Sequence, residues 1–387
     1  MYKVDFKKIV LPLLFLFFFI LYLLIIAFVR YQDMWDHACF SRQILTGERP
    51  TPGNFLFYWL VNIFSFFSTK IIPSKISLCF LLAFATTFRY YLSQKKIAKV
   101  LIRETSGKDN YWLSVIAALS LIFVFVIPVP SYILNGYFYI GNFVPNVWHN
   151  STIIFLFPFA LLLFELSNMQ LIAFDEKRNG WIILLIFLNV FIKPSYFFVY
   201  VFVYPLLLLI KYKLNKEFWK SIFPVIIGLI FLIFEYWTIY KGSKLGNNES
   251  SSVIFHPFYS NVLISDIWQL PLSLFFSLFF PFLYVIFNVP KIKKSLLFWF
   301  TTLSFLTSIF IYLFIAESGP RASHGNFYWQ IVICTWFCFF TAFISLIKDF
   351  NIEGKTLKNK FLMSIYFIHV LIGIVYFVRL FVVDNYL

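Results

Sequence analysis

Long unbroken apolar runs constrain this chain more than any other feature. The first covers residues 9–29, and runs of about 17–23 residues recur to the C-terminus, the length that crosses ~30 Å of hydrocarbon. With 61% hydrophobic and 13% charged residues, the 387-residue chain has about half the ~25% charge of soluble domains. A backbone in lipid must satisfy its own hydrogen bonds, and runs of this length do so as helices. A large soluble core would instead show amphipathic stripes and short apolar runs. The first run follows Lys3, Lys7 and Lys8, exceeds a signal-peptide core and lacks a small-residue cleavage site. It therefore reads as a retained anchor.

The expected fold class is all-α: a polytopic transmembrane helical bundle forming one domain over 1–387. About eleven spans are expected, near 9–29, 76–93, 112–133, 152–168, 180–192, 194–210, 221–240, 266–287, 296–315, 328–347 and 361–381. Residues 54–68, only about 15 long, are expected to form an interfacial helix in the first extracytoplasmic loop. Charge decides against a twelfth span there. With 54–68 on the surface, the segments 1–8, 94–111, 169–179, 211–220, 288–295 and 348–360 share the cytoplasmic side. They hold 21 of the 32 Lys and Arg, as the positive-inside rule requires. The net charge of +15 is thus a topology signal and not a nucleic-acid surface. The N-terminus is expected in the cytoplasm and the C-terminus outside.

Several function classes drop out. There is no P-loop, no dinucleotide fingerprint after a strand and no HExxH, so a nucleotide-driven role is not indicated. Cys79, Cys334 and Cys338 lie inside apolar runs and Cys39 stands alone in a loop, which makes neither a disulfide framework nor a zinc site.

The polar residues gather outside. His37, His149, His256 and His324 all fall there, while His369 lies within the last span. Asp33 and Asp36 are three apart and share one face of a helical turn. A carboxylate there can act as a general base or hold a divalent cation; the plainer reading is a pair of solvated loop acids. His149 and Asn150 precede an apolar run in PNVWHNST. Asn150 suits a helix cap, and a helix N-terminus beside a histidine also suits an anion or a sugar hydroxyl. Lys193, in FIKPSYFF, sits between two apolar runs. A cation at membrane depth costs at least ~2.5–3.5 kcal/mol, so a functional role is the default, with a snorkelling anchor as the alternative. Glu317, Arg321, His324 and Asn326 share the turn AESGPRASHGNFYW, shaped by Gly319, Pro320 and Gly325. Arg321 is the only cation of that loop and suits phosphate. Glu165 and Glu235 read as buried structural polar groups or helix-end charges.

Three passages carry a family likeness: DMWDHACFSRQILTGERPTPGNFLFYWLV, RYYLSQKKIAKVLIRE and FLNVFIKPSYFFVYVFVYPLLLLI. Their order resembles the GT-C class of membrane glycosyltransferases, which use polyprenyl-phosphate-linked sugars. The likeness is one of layout and covers about residues 1–210; the helices of 211–387 lie outside it. Where that family often has an Asp-Glu pair, this chain has Asp36-His37.

The resemblance implies a glycosyltransferase of cell-envelope glycan assembly in a bacterial inner (cell) membrane. The partners would be a polyprenyl-phosphate-linked sugar, a glycan or lipid-linked acceptor, and membrane lipid. Asp36 would be the base, with Asp33 and His37 beside it. Lys193 and Arg321 would meet the phosphate; His149, Asn150, His324 and Glu317 would line the substrate site. Displacement would be single and inverting. A divalent cation is compatible with this layout, but no dense acidic cluster implies one. The competing readings are an O-antigen-type polymerase or ligase, a transporter or flippase, and a structural membrane subunit.

Overall fold

The computed structural model describes residues 6–29, 33–104, 110–242, 251–259 and 269–383. Among the described residues, sixteen α-helices follow one another. They are α1 (Phe6–Phe28), α2 (Asp33–Leu45), α3 (Leu56–Phe64), α4 (Ile71–Glu104), α5 (Tyr111–Phe123) and α6 (Ser131–Asn135). Next come α7 (Ser151–Ile172), α8 (Arg178–Ile192), α9 (Ser195–Tyr212), α10 (Lys216–Trp237), α11 (Leu270–Ser277) and α12 (Phe279–Phe287). The series ends with α13 (Val289–Ile292), α14 (Leu296–Phe314), α15 (Trp329–Glu353) and α16 (Leu357–Val382). The only sheet among the described residues is a two-stranded antiparallel ribbon, β1 (Val253–Phe255) against β2 (Ile315–Glu317), with Val253 opposite Glu317. The protein is an all-α, multi-pass helical bundle. Among the described residues, eight stretches, carried by α1, α4, α7, α9, α10, α14, α15 and α16, are long and apolar enough to cross a membrane.

The remaining three expected spans take other forms. α5 stops at Phe123, short of the expected 112–133, and Val124 turns extended. Pro128 and Pro130 follow; proline lacks a donor and biases the residue before it away from helix. The freed backbone is held from α16. Phe125 N–H donates to the His369 carbonyl at 3.1 Å, and His369 Nδ1 bonds the Phe125 carbonyl at 2.6 Å. His369 Nε2 accepts from Phe280 N–H at 3.3 Å, so this histidine ties three segments together. Gly373 lets α16 come this close, since a Cβ there would lie 1.6 Å from the Phe123 carbonyl oxygen.

Of the span expected over 266–287, residues 266–268 lie outside the described residues, and over the rest α11 and α12 meet at a 71° bend. Pro281 explains it: its ring would clash with the carbonyl four residues back, that of Ser277, where α11 ends. α8 has only 15 residues, and α3 has nine, about 14 Å of rise, too short to cross.

Contacts sort the helix ends into two groups. At one end, Tyr111 Oη donates to the Lys7 carbonyl at 3.1 Å, Lys96 pairs with Glu165, and Lys220 pairs with Glu176. There too, Lys291 bridges Asp349 (2.8 Å) and Glu353, and Lys358 reaches Glu353 at 3.0 Å. The basic segments are joined there in pairs, 1–8 with 94–111, 169–179 with 211–220 and 288–295 with 348–360. The other end holds α2, α3, the loop before α7, the α8–α9 junction and the ribbon.

Candidate functional site

The site grows from the N-terminus of α7. Asn150 caps that helix, its Oδ1 accepting from Ile153 N–H at 3.1 Å and from Thr152 Oγ1 at 3.0 Å. The cap fixes which way the amide points, and its Nδ2 donates to Asp33 Oδ2 at 2.8 Å. The cap and the polar site thus use one side chain. Asp33 opens α2, which packs on α3 through Ser41. The Ser41 hydroxyl meets the Tyr58 carbonyl at 3.1 Å and Asn62 Oδ1 at 2.7 Å. One turn on from Asp33, His37 Nδ1 is 2.8 Å from the buried Tyr58 hydroxyl.

Lys193 closes α8 in extended backbone, as a residue preceding proline should. Its Nζ donates to Thr152 Oγ1 at 3.3 Å and lies 4.7 Å from the centre of the Trp329 ring. That face offers a cation more than its area burial. Burial lowers the Lys193 ammonium to about 8; Asp33 and Glu317 oppose the shift, and Arg321 adds to it. His149 is buried edge-on against Tyr139 (4.9 Å) and Trp329 (6.1 Å). Burial takes its imidazole down to about 4, so it is neutral near pH 7. His37 shifts the same way for the same reason, with Asp33 opposing.

A second cluster faces this one. Glu317 ends β2 and is buried; its Oε1 accepts from Arg321 Nε at 2.7 Å and from the Tyr240 hydroxyl. Its Oε2 accepts from Asn326 Nδ2 at 2.6 Å. The Arg321 guanidinium also lies 5.6 Å from the Tyr240 ring. The buried Glu235 lies on α10 below Tyr240, covered by the loop before α3. Gly53 sits so tightly on it that a Cβ would stand 2.3 Å from Thr238 Oγ1 and 2.9 Å from the Glu235 carbonyl. The start of α15 links the two clusters, since Asn326 holds Glu317 and Trp329, three residues on, lies under Lys193.

The structure thus gathers Asp33, His37, His149, Asn150, Lys193, Glu317 and Arg321 at one end of the bundle. Asp36 is set apart: its side chain is exposed, one turn from Asp33. Partial burial and the Asp33 charge raise its carboxyl. The side chain of His324 lies outside the described residues. His256 follows β1, its N–H bonded to the Phe314 carbonyl at 2.9 Å, and is exposed. Tyr58, Tyr240, Trp329 and Glu235 complete the site and carry no motif. Glu235 alone had a visible signal, an acid inside an apolar run. Glu165 proves to be an ion-pair partner at the far end. Among the described residues, no three His, Cys, Asp or Glu side chains gather as a metal site requires.

One acid held by an amide, beside one lysine and one paired arginine, can take a proton while cations meet an anion. No family model, no curated protein and no solved structure matches the chain.

Proposed function

We propose that this protein is a glycosyltransferase moving a sugar from a polyprenyl-phosphate donor to an extracytoplasmic acceptor. One observation carries the reading: an acid and two cations from distant parts of the sequence converge at the end of the bundle opposite the basic loops. By the positive-inside rule that end faces outward from a bacterial inner (cell) membrane. The eleven apolar segments would then all cross, α8 and the bent α11–α12 pair included. α3 would lie at the interface, where exposed Trp59, Ile63 and Phe64 suit lipid.

In this reading Asp33 replaces Asp36 as the base, because Asp33 lies among the cations. Asn150 holds Oδ2, leaving Oδ1 for the acceptor hydroxyl. As the acceptor oxygen bonds to the anomeric carbon, the bond from that carbon to the phosphate oxygen breaks. The proton passes to Asp33 and polyprenyl phosphate leaves. Lys193 and Arg321 stabilise the charge growing on the phosphate. One displacement inverts the configuration. His37 and His149, neutral near pH 7, position hydroxyls.

The test is sugar transfer by the purified, reconstituted protein from a panel of labelled polyprenyl-phosphate sugars. Wild type is expected to transfer and Asp33→Asn to lose transfer while remaining folded. Full activity in Asp33→Asn overturns the base assignment; transfer from no such donor overturns the function. A carrier reading has one observation behind it, the 71° break between α11 and α12, since broken helices mark transport paths. Uptake of the donor into sealed vesicles without acceptor would favour it.

A further inference from the structure

The β1–β2 ribbon folds back along the bundle instead of extending away from it. α14 starts just after the basic segment 288–295, and its 19 residues rise about 28 Å, enough to fill a ~30 Å hydrocarbon layer. Its last residues, Leu313 and Phe314, therefore lie where hydrocarbon gives way to headgroups. The carbonyls of a helix's final turn have no partner within the helix. Here the chain just after β1 supplies the donors. His256 N–H bonds the Phe314 carbonyl at 2.9 Å, and Phe258 N–H bonds the Leu313 carbonyl at 2.7 Å. From Val253, opposite Glu317, to Phe258, on Leu313, the chain thus runs back to the level of the helix's last turn. Phe258 has a φ of 58°, a left-handed backbone uncommon for a bulky residue. Such a conformation persists only where the surroundings hold it, and it clusters at working sites.

The side chains give this segment its partner. Phe255 is 68% exposed and stacks on Phe314, with 5.9 Å between ring centres; Phe258, also exposed, lies 5.8 Å from the same ring. Phe314 stands 4.8 Å from Phe310, which is exposed on α14 together with Leu306. One apolar strip therefore runs unbroken from the membrane face of a spanning helix onto the ribbon. That continuity selects lipid as the occupant. The backbone sets the depth. The far edge of β1 pairs with no strand among the described residues. Open strand edges do not survive in hydrocarbon, so the ribbon belongs where water still reaches its backbone.

We infer that residues 253–259 form an interfacial anchor. The Phe255 and Phe258 rings sit in the headgroup–acyl boundary of the leaflet at this end, and the exposed His256 and Tyr259 lie among the headgroups. Aromatic side chains favour that layer. The anchor also reaches the second cluster. The Ser252 and Ser318 hydroxyls are 2.8 Å apart beside the β1–β2 pairing, so the lipid contact fixes the height of Glu317, which holds Arg321 and Asn326. The inference is independent of the sugar-transfer reading, since it needs only that α14 crosses the membrane.

The experiment places one cysteine in the full-length, otherwise cysteine-free protein, labels it in detergent with an environment-sensitive fluorophore and reconstitutes it in vesicles. Three quenchers are compared: a nitroxide near the lipid headgroup, a nitroxide deep in the acyl chain, and iodide on both sides of the membrane. At Phe255→Cys and Phe258→Cys the shallow nitroxide should cause the largest loss of fluorescence and iodide the smallest. Thr51→Cys, in an exposed loop at the same end, should be quenched most by iodide, and Leu306→Cys most by the deep nitroxide. Melting midpoints check that each labelled protein is folded. Tyr259→Cys, just beyond the ribbon, carries the same test if labelling at either Phe position unfolds the chain. Three results overturn the inference. They are the Thr51 pattern at the ribbon, the Leu306 pattern there, and no quenching by any of the three, which would mean that protein covers the ribbon.

Discussion

Replacing Lys193 by Gln tests the outer site where the structure gives a number. In the native protein burial lowers this ammonium to about 8, below its ordinary 10.5. It is then about nine-tenths charged at pH 7 and about one-tenth charged at pH 9. The contact it offers a donor phosphate is therefore present below pH 8 and lost as pH rises through that value. A hydrogen bond to a charged group is worth about 1.5–3 kcal/mol, or about 10–150-fold in donor affinity. Wild-type donor binding should thus fall steeply above pH 8. Lys193→Gln should start at the weak level and stay flat across that range. Asp33→Asn adds a second check, because the Asp33 charge holds the Lys193 value up. Without it the alkaline fall should begin at lower pH, read as binding since turnover is lost. The assay is equilibrium binding of a labelled polyprenyl-phosphate sugar to reconstituted protein from pH 6 to about 10. An alkaline fall that persists near pH 8 in Lys193→Gln would show that another group, not Lys193, meets the phosphate.

Asp33→Asn should lower sugar transfer by about 10²–10⁴, the range for losing a general base, whereas Asp36→Asn should change it little. Initial rates with saturating donor decide between them. Asn150→Ala should cost about 1 kcal/mol through the lost cap and also free Asp33, lowering turnover more than stability. Paired melting and rate measurements separate the two effects. Gly373→Ala should prevent proper assembly, since its methyl would stand 1.6 Å from the Phe123 carbonyl oxygen. A normal melting profile for that variant would mean that the α5–α16 contact is looser than described.

The long apolar runs made the bundle legible, because hydrocarbon thickness fixes helix length whatever the packing. The loop charges suggested which ends belong together, and the ion pairs of Lys220 and Lys291 join four of those loops in pairs. The bends were harder to see. Pro128, Pro130 and Pro281 stand in plain view, but proline also sits inside α7, α9 and α10 without ending them. Neighbouring helices decide which prolines break a helix. Of the site, each chemical group was visible as a polar residue between apolar runs. Their convergence was not, since it joins residues as distant as Asp33, Asn150 and Lys193. The choice between Asp33 and Asp36 turns on the rotation of α2, which a three-residue spacing leaves open. Tyr58, Tyr240 and Trp329 were hidden among 23 Tyr and 11 Trp.

Sugar transfer at the end carrying Asp33 and Lys193 can be read in sealed vesicles of known protein orientation. Cysteines placed at Thr51 and Lys177, exposed at opposite ends of the bundle, report that orientation to an impermeant thiol reagent in an otherwise cysteine-free background. Labelled donor and acceptor are then supplied from one side only. Glycosylated product is expected when they are presented on the Thr51 side, and none for Asp33→Asn. Product formed from the Lys177 side, or formed equally well without Asp33, would contradict it.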